Sequence, residues 1–208
     1  MDINEIVAGF KGIPTGNICD SNGLVGSIDP AIKPLDPHFT MTGKAMTVTV
    51  EPGDNLTVHK AIALAEPGTV LVVDAKGYLG AGIFGEMFAT SCQARGIVGL
   101  VVDGAVRDKI DLIEMQFPVF AKGVNPNGTR KEICGSINAP IVCGGRPVKA
   151  GDVIIGDADG VVVIPAEDAE EVLKKSQAKK EKENVMKQLL AEGRTTVELL
   201  GFQEKCGM

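Results

Sequence analysis

The run Thr69-Val70-Leu71-Val72-Val73-Asp74 and the later run Ile97-Val98-Gly99-Leu100-Val101-Val102 decide the fold. Each is short, apolar and rich in β-branched residues, the pattern of a strand covered on both faces. Between them Met87, Phe88, Ser91 and Cys92 recur at helical spacing, which predicts a helix over about Gly85–Arg95. The intervening Ala75–Phe84 is glycine-rich and reads as a loop. Strand, helix, strand in that order predicts a right-handed crossover between parallel neighbours.

Working outward, Lys44–Val50 reads as a strand, and Asn55–Ala65 as a helix with Leu56, Ile62 and Ala63 facing inward. Pro118–Ala121 and Ala139–Cys143 are further short strands. Val153–Ile164 is a hairpin whose turn is supplied by Asp159-Gly160. The first forty residues are turn-rich and irregular, apart from polar caps for a short helix at Thr15–Ser21. Ala166 to about Ala191 is a long helix, acidic in its first turns and basic in its middle, as the helix dipole favours. No linker or repeat divides the chain. The expectation is one mixed-sheet α/β domain over 1–208, with a helical extension at about 166–208.

The 208 residues are 44% hydrophobic and 23% charged, the composition of a folded domain rather than a disordered one. A net charge of −6 opposes nucleic-acid binding, which needs a surplus of Lys and Arg, and aromatics at 4% leave few stacking platforms. No apolar run reaches membrane-spanning length, and Met1–Glu5 does not read as a secretory leader. Five widely spaced cysteines (Cys19, Cys92, Cys134, Cys143, Cys206) with no CxxC pair read as reduced thiols in a cytoplasmic protein.

Ligands of parallel α/β sheets bind beyond the carboxyl ends of the strands. That edge receives Glu86, at the start of the helix after the first run, and Arg107-Asp108, shortly after the second. The amides of Gly85, Glu86, Met87 and Phe88 form an anion seat at the helix start. Arg107 adds a fork of donors, while Glu86 and Asp108 offer hard oxygen ligands suited to Mg2+ or Mn2+. Together they describe a pocket for a small 2-oxo acid chelating a metal. The competing reading is a surface Arg–Asp pair beside a capping glutamate.

Gly80-Ala81-Gly82-Ile83-Phe84-Gly85 matches the dinucleotide pattern GxGxxG. However, Ala75–Leu79 separate it from the strand and Glu86 would face the pyrophosphate. These glycines otherwise mark a backbone that approaches something closely. His38 reads as a surface residue, His59 as a possible border of the pocket, and Lys122 as a conceivable Schiff-base lysine. No GxSxG elbow supports acyl transfer.

Several stretches resemble the RraA-like family, which includes the 4-hydroxy-4-methyl-2-oxoglutarate aldolases. They are Ile18-Cys19-Asp20-Ser21, Gly53-Asp54-Asn55, Gly85–Ala89, Arg95-Gly96-Ile97, Val102–Asp108, Pro118–Val124, and Gly151–Ile154 through Asp159–Pro165. The family's aldolase signature is an acid, twenty intervening residues, then Arg-Asp. Here Glu86 stands at the first position, where Asp is usual. The resemblance implies an α/β/α layered domain assembled as a trimer or hexamer. It implies Asp108 on the metal, Glu86 on metal-bound water, Arg107 on the oxo acid, and the Gly85–Phe88 amides on its carboxylate. His59 and Lys131 fall at positions resembling polar pocket residues.

The implied reaction is metal-dependent retro-aldol cleavage of a 4-hydroxy-2-oxo acid to pyruvate, with oxaloacetate decarboxylation as a side activity. The alternative is a regulator that binds a ribonuclease. An older family label, methyltransferase of menaquinone synthesis, finds no methyl-donor pocket in the motifs.

Overall fold

The computed structural model describes residues 1–208. In chain order the elements are α1 (Ile3–Gly9), α2 (Thr15–Ser21), β1 (Lys33–Pro34), β2 (Met41–Thr49), α3 (Leu56–Leu64), β3 (Thr69–Gly82), α4 (Glu86–Ala94), β4 (Gly99–Val106), α5 (Lys109–Glu114) and β5 (Val119–Val124). They continue with β6 (Ile141–Cys143), β7 (Arg146–Val148), β8 (Val153–Asp157), β9 (Gly160–Ile164), α6 (Ala169–Ala191) and α7 (Thr196–Leu200), and a 3₁₀ turn at Glu204–Cys206 ends the chain.

A seven-stranded sheet in the order β1-β5-β4-β3-β2-β8-β9 forms the centre. Its strands β2, β3, β4 and β5 are mutually parallel and adjacent in sequence order, while β1, β8 and β9 pair antiparallel at the margins. This is the mixed, partly parallel α/β sheet the sequence predicts. Because side chains alternate along a strand, Leu71 and Val73 fall on one face, and Val70 and Val72 on the other. The first face packs on Val58 and Ile62 of α3, Ala89 and Cys92 of α4, and Leu112 of α5. The second is covered by Ile32, Phe39, Cys143 and Val148. A third cluster joins Ile155, Val162 and Ile164 to Ile6, Phe10, Ile18, Val172 and Leu173.

Three expectations need correction. The segment Ala75–Phe84 is not a simple loop, since β3 runs extended to Gly82. Asp103, Gly104 and Ala105 of β4 pair with Asp74, Tyr78 and Gly82 of β3, so β3 folds outward twice between pairs. Left-handed backbone at Lys76 (φ 56°) and Gly77 (φ 70°) makes the first of these folds. The N-terminal region holds two helices; a capping box of Asp2 and Glu5 starts the unforeseen α1. In the β8–β9 hairpin Asp157 pairs with Gly160, so the turn residues are Ala158 and Asp159 and the glycine already belongs to β9. The helical extension begins in the core: Ala169, Val172, Leu173 and Ser176 at the start of α6 are buried, and its later turns are largely exposed.

Candidate active site

Each of the four parallel strands delivers one wall of a single cleft at its carboxyl end. β2 leads to Asn55, His59 and Ile62; β3 to Gly82, Phe84, Gly85, Met87, Phe88 and Ser91; β4 to Arg107 and Asp108; β5 to Gly128, Thr129 and Lys131. The cleft holds about 500 Å³, in the range of small-molecule sites.

Asp108 is fixed by its backbone and by α4. It adopts a left-handed conformation (φ 56°, ψ 43°), which Asp tolerates better than most residues because its short polar side chain bonds locally. Its Oδ2 accepts the Glu86 N–H at 3.1 Å and lies 3.5 Å from Arg107 Nε. A carboxylate therefore occupies the positive end of α4. Of the four amides predicted to receive an anion, Glu86 N–H is taken by Asp108, and Phe88 N–H by Gly85 O at 3.1 Å. Those of Gly85 and Met87 remain unpaired.

The glycines of the GxGxxG match have a packing cause. A Cβ on Gly82 would stand 2.7 Å from Arg107 Cβ and from Asn125 O, and one on Gly85 would overlap Asp108 Oδ2. The β3–α4 connection thus lies directly against Arg107-Asp108. Gly85 itself is extended (φ −159°), so space rather than torsion demands glycine there.

The opposite wall is tied together by Asp54, which is 1% exposed. Its Oδ1 accepts Leu56 N–H at 2.9 Å; its Oδ2 accepts Glu132 N–H at 2.7 Å and Ile133 N–H at 3.2 Å. Burial pushes this carboxyl's pKa upward, but the three N–H donors outweigh it and hold the group below its ordinary value. Asn55 N–H also donates to Arg130 O at 3.1 Å. These bonds draw Lys131 toward α3. The His59 ring meets Phe88 edge-on at 4.5 Å, and Phe88 stacks on Phe84 at 5.4 Å. Partial burial and, secondarily, the Lys131 cation lower the pKa of His59, so the imidazole is neutral at pH 7.

Gly85, Met87, Phe88, Arg107, Asp108, His59 and Lys131 thus share one cleft. Glu86 does not line it with its side chain, which is exposed; it contributes its backbone N–H. Lys122 does not line it either. It bridges Asp29 at 3.0 Å and Asp103 at 3.2 Å, and those carboxylates raise its pKa, the opposite of what a Schiff-base amine needs. His38 is an exposed loop residue. Asn55 of the wall and Asp54 behind it, like Gly128 and Thr129, were not assigned a role from the sequence. The signal for Asn55 was its spacing of one helical turn from His59.

The pattern of the RraA-like family (Aldolase/RraA) matches residues 15–163, most of the chain. The chain belongs to the RraA-like family. Among RraA-like relatives it is 42% identical over 175 residues, 84% of this chain and 83% of the other, to a protein of Halalkalibacterium halodurans named "Putative 4-hydroxy-4-methyl-2-oxoglutarate aldolase". It is 31% identical, over 93% of each chain, to an uncharacterized protein of Methanocaldococcus jannaschii. Its fold is similar to that of Streptomyces coelicolor RraAS2, described as an unusual member of the RNase ES inhibitor RraA protein family (TM-score 0.80, 25% identity, 88% and 97% of the two chains). It is likewise similar to an uncharacterized protein of Pseudomonas syringae (TM-score 0.85, 25% identity, 92% and 91%).

Proposed function

We propose that this RraA-like chain is a divalent-metal-dependent aldolase that releases pyruvate from 4-hydroxy-2-oxo acids. The observation that carries the reading is the Arg107-Asp108 pair, set on a cleft wall against the amides that start α4. The name of the Halalkalibacterium halodurans relative supports it.

The donor set fits Mg2+ or Mn2+. No group of three His, Cys, Asp or Glu side chains gathers anywhere in the fold, so a metal demanding an all-protein cage is not served. Magnesium, however, is commonly held by one or two carboxylates, water and substrate oxygens. Asp108 supplies such a carboxylate, with Oδ1 free of protein partners. The ion, when bound, supplies Lewis acidity toward the keto oxygen.

The chain's own residues would do the rest. Arg107 donates to the keto oxygen and then to the enolate oxygen that forms when the bond between carbons three and four breaks. The N–H groups of Gly85 and Met87 receive the carboxylate. The neutral His59 imidazole, rather than water near the outward-facing Glu86, takes the proton of the 4-hydroxyl group. Oxaloacetate loses carbon dioxide to the same enolate, so its decarboxylation accompanies the main reaction; in both, water protonates carbon three of the enolate to give pyruvate.

A coupled pyruvate assay with and without chelator tests this reading. Metal-dependent pyruvate release is expected, and its absence with every 4-hydroxy-2-oxo acid and oxaloacetate refutes it. The family resemblance adds a trimer or hexamer, measured by light scattering. A second reading, ribonuclease regulation, is favoured by the likeness to RraAS2. A stoichiometric partner captured equally by Asp108→Ala protein would support it.

A further inference from the structure

We infer that Asn55 Oδ1 is the acceptor for the hydroxyl group on the fourth carbon of the substrate, an assignment that rests on the aldolase reading above. Asn55 lines the cleft and is 5% exposed. Its Nδ2 donates to Ile83 O at 3.2 Å, which fixes the carboxamide plane. Its Oδ1 is buried with no hydrogen-bond partner, and no other buried side-chain nitrogen or oxygen in the protein is left so.

A buried unpaired acceptor asks for an explanation, because nearly all such atoms in folded proteins are satisfied. The usual employment of Asn at this position is absent. Asn55 is the N-cap of α3, where its side-chain oxygen would ordinarily accept a first-turn N–H, yet it makes no cap bond. The preceding Asp54 takes the Leu56 N–H instead. Capping has been transferred to a neighbour, leaving the buried carbonyl of Asn55, a residue that lines the cleft, without a donor.

The chemistry of the missing partner follows from the atom. An amide oxygen only accepts, so it pairs with an alcohol and repels a carboxylate. His59 lies one helical turn further along α3, on the same cleft wall. An alcohol held by Asn55 is thereby placed beside the imidazole proposed to take its proton. The residue positions the hydroxyl end of the substrate and selects against molecules that lack it.

The test separates this assignment from the reaction itself. Titration calorimetry with Mg2+ compares 2,4-dihydroxyglutarate with 2-hydroxyglutarate, a pair that differs only in the 4-hydroxyl and cannot be cleaved without a keto group. Wild-type protein is expected to prefer the dihydroxy ligand about tenfold, the scale of one hydrogen bond, and Asn55→Ala to bind both alike. Asn55→Leu preserves volume and serves if the alanine variant fails to fold. An equal loss for both ligands points to a shared water as the donor and overturns the assignment. So do a preference that survives both substitutions and a wild-type protein that discriminates between neither. Pyruvate release is measured in parallel: discrimination without pyruvate refutes the aldolase reading while leaving Asn55 as a hydroxyl acceptor.

Discussion

Replacing Gly85 with alanine adds one methyl group at the most crowded point of the cleft. The backbone there is extended and accepts any residue, so the cost is steric alone. The new Cβ would overlap Asp108 Oδ2 and stand 3.0 Å from Arg107 Cγ and 3.1 Å from Asp108 Cγ. Asp108 must swing away, giving up the Glu86 N–H bond. Hydrogen bonds to charged groups contribute about 1.5–3 kcal/mol. The Asp108 side chain is 34% exposed, so solvent competes and the lower end, about 1.5 kcal/mol, applies. For a chain of this length that lowers Tm by about 3–6 °C. The effect on catalysis is larger, because displacement of a catalytic group by about 1 Å costs roughly a hundredfold in rate. Calorimetric melting and the pyruvate assay read the two effects. The control is Gly16→Ala in α2, where a Cβ meets nothing within 4 Å and helix propensity favours alanine by up to about 1 kcal/mol. A Gly85→Ala protein with wild-type Tm and wild-type turnover would refute the packing account of this loop.

Asp108→Asn keeps a residue that tolerates the left-handed backbone but removes the charge; pyruvate release is expected to fall at least about a hundredfold while Tm, read by calorimetry, moves only slightly. If His59 takes the hydroxyl proton, its lowered pKa leaves activity flat across neutral pH and lost as pH falls through that lowered value, a limb that a pH–rate profile shows and His59→Gln abolishes. Asp54→Asn is expected to destabilise the fold by about 1.5–3 kcal/mol. Because the folded pKa of Asp54 is depressed, its contribution is complete above the unfolded value of about 3.9 and disappears as pH falls through the folded one; acid titration of wild type and variant checks this. Thiol labelling at neutral pH should find Cys134 and Cys206 reactive, while Cys92 and Cys143, whose pKa values burial raises to about 12, respond only after unfolding.

The parallel core was legible because Thr69–Asp74 and Ile97–Val102 are apolar on both faces, and a strand buried on both sides announces itself by composition alone. The meeting of the α4 N-terminus with Arg107 and Asp108 followed from topology, since loops after parallel strands emerge at one edge. What escaped was decided by tertiary contact. The outward folds of β3 depend on its register against β4, which no local pattern encodes. The use of the Glu86 N–H depends on Asp108 claiming the helix start. The unpaired carbonyl of Asn55 depends on Asp54 taking over the cap, a division of labour between adjacent residues that no local pattern encodes.

The cleft draws one wall from the end of each of four consecutive strands, so it has no local precursor. Partly folded chains, however rich in helix, hold none of its geometry. Loss of catalysis in rising denaturant should therefore coincide with loss of the sheet signal in circular dichroism. Amide exchange at Arg107, whose N–H donates to Phe84 O at 2.9 Å, should report opening of the whole molecule rather than fraying of a loop.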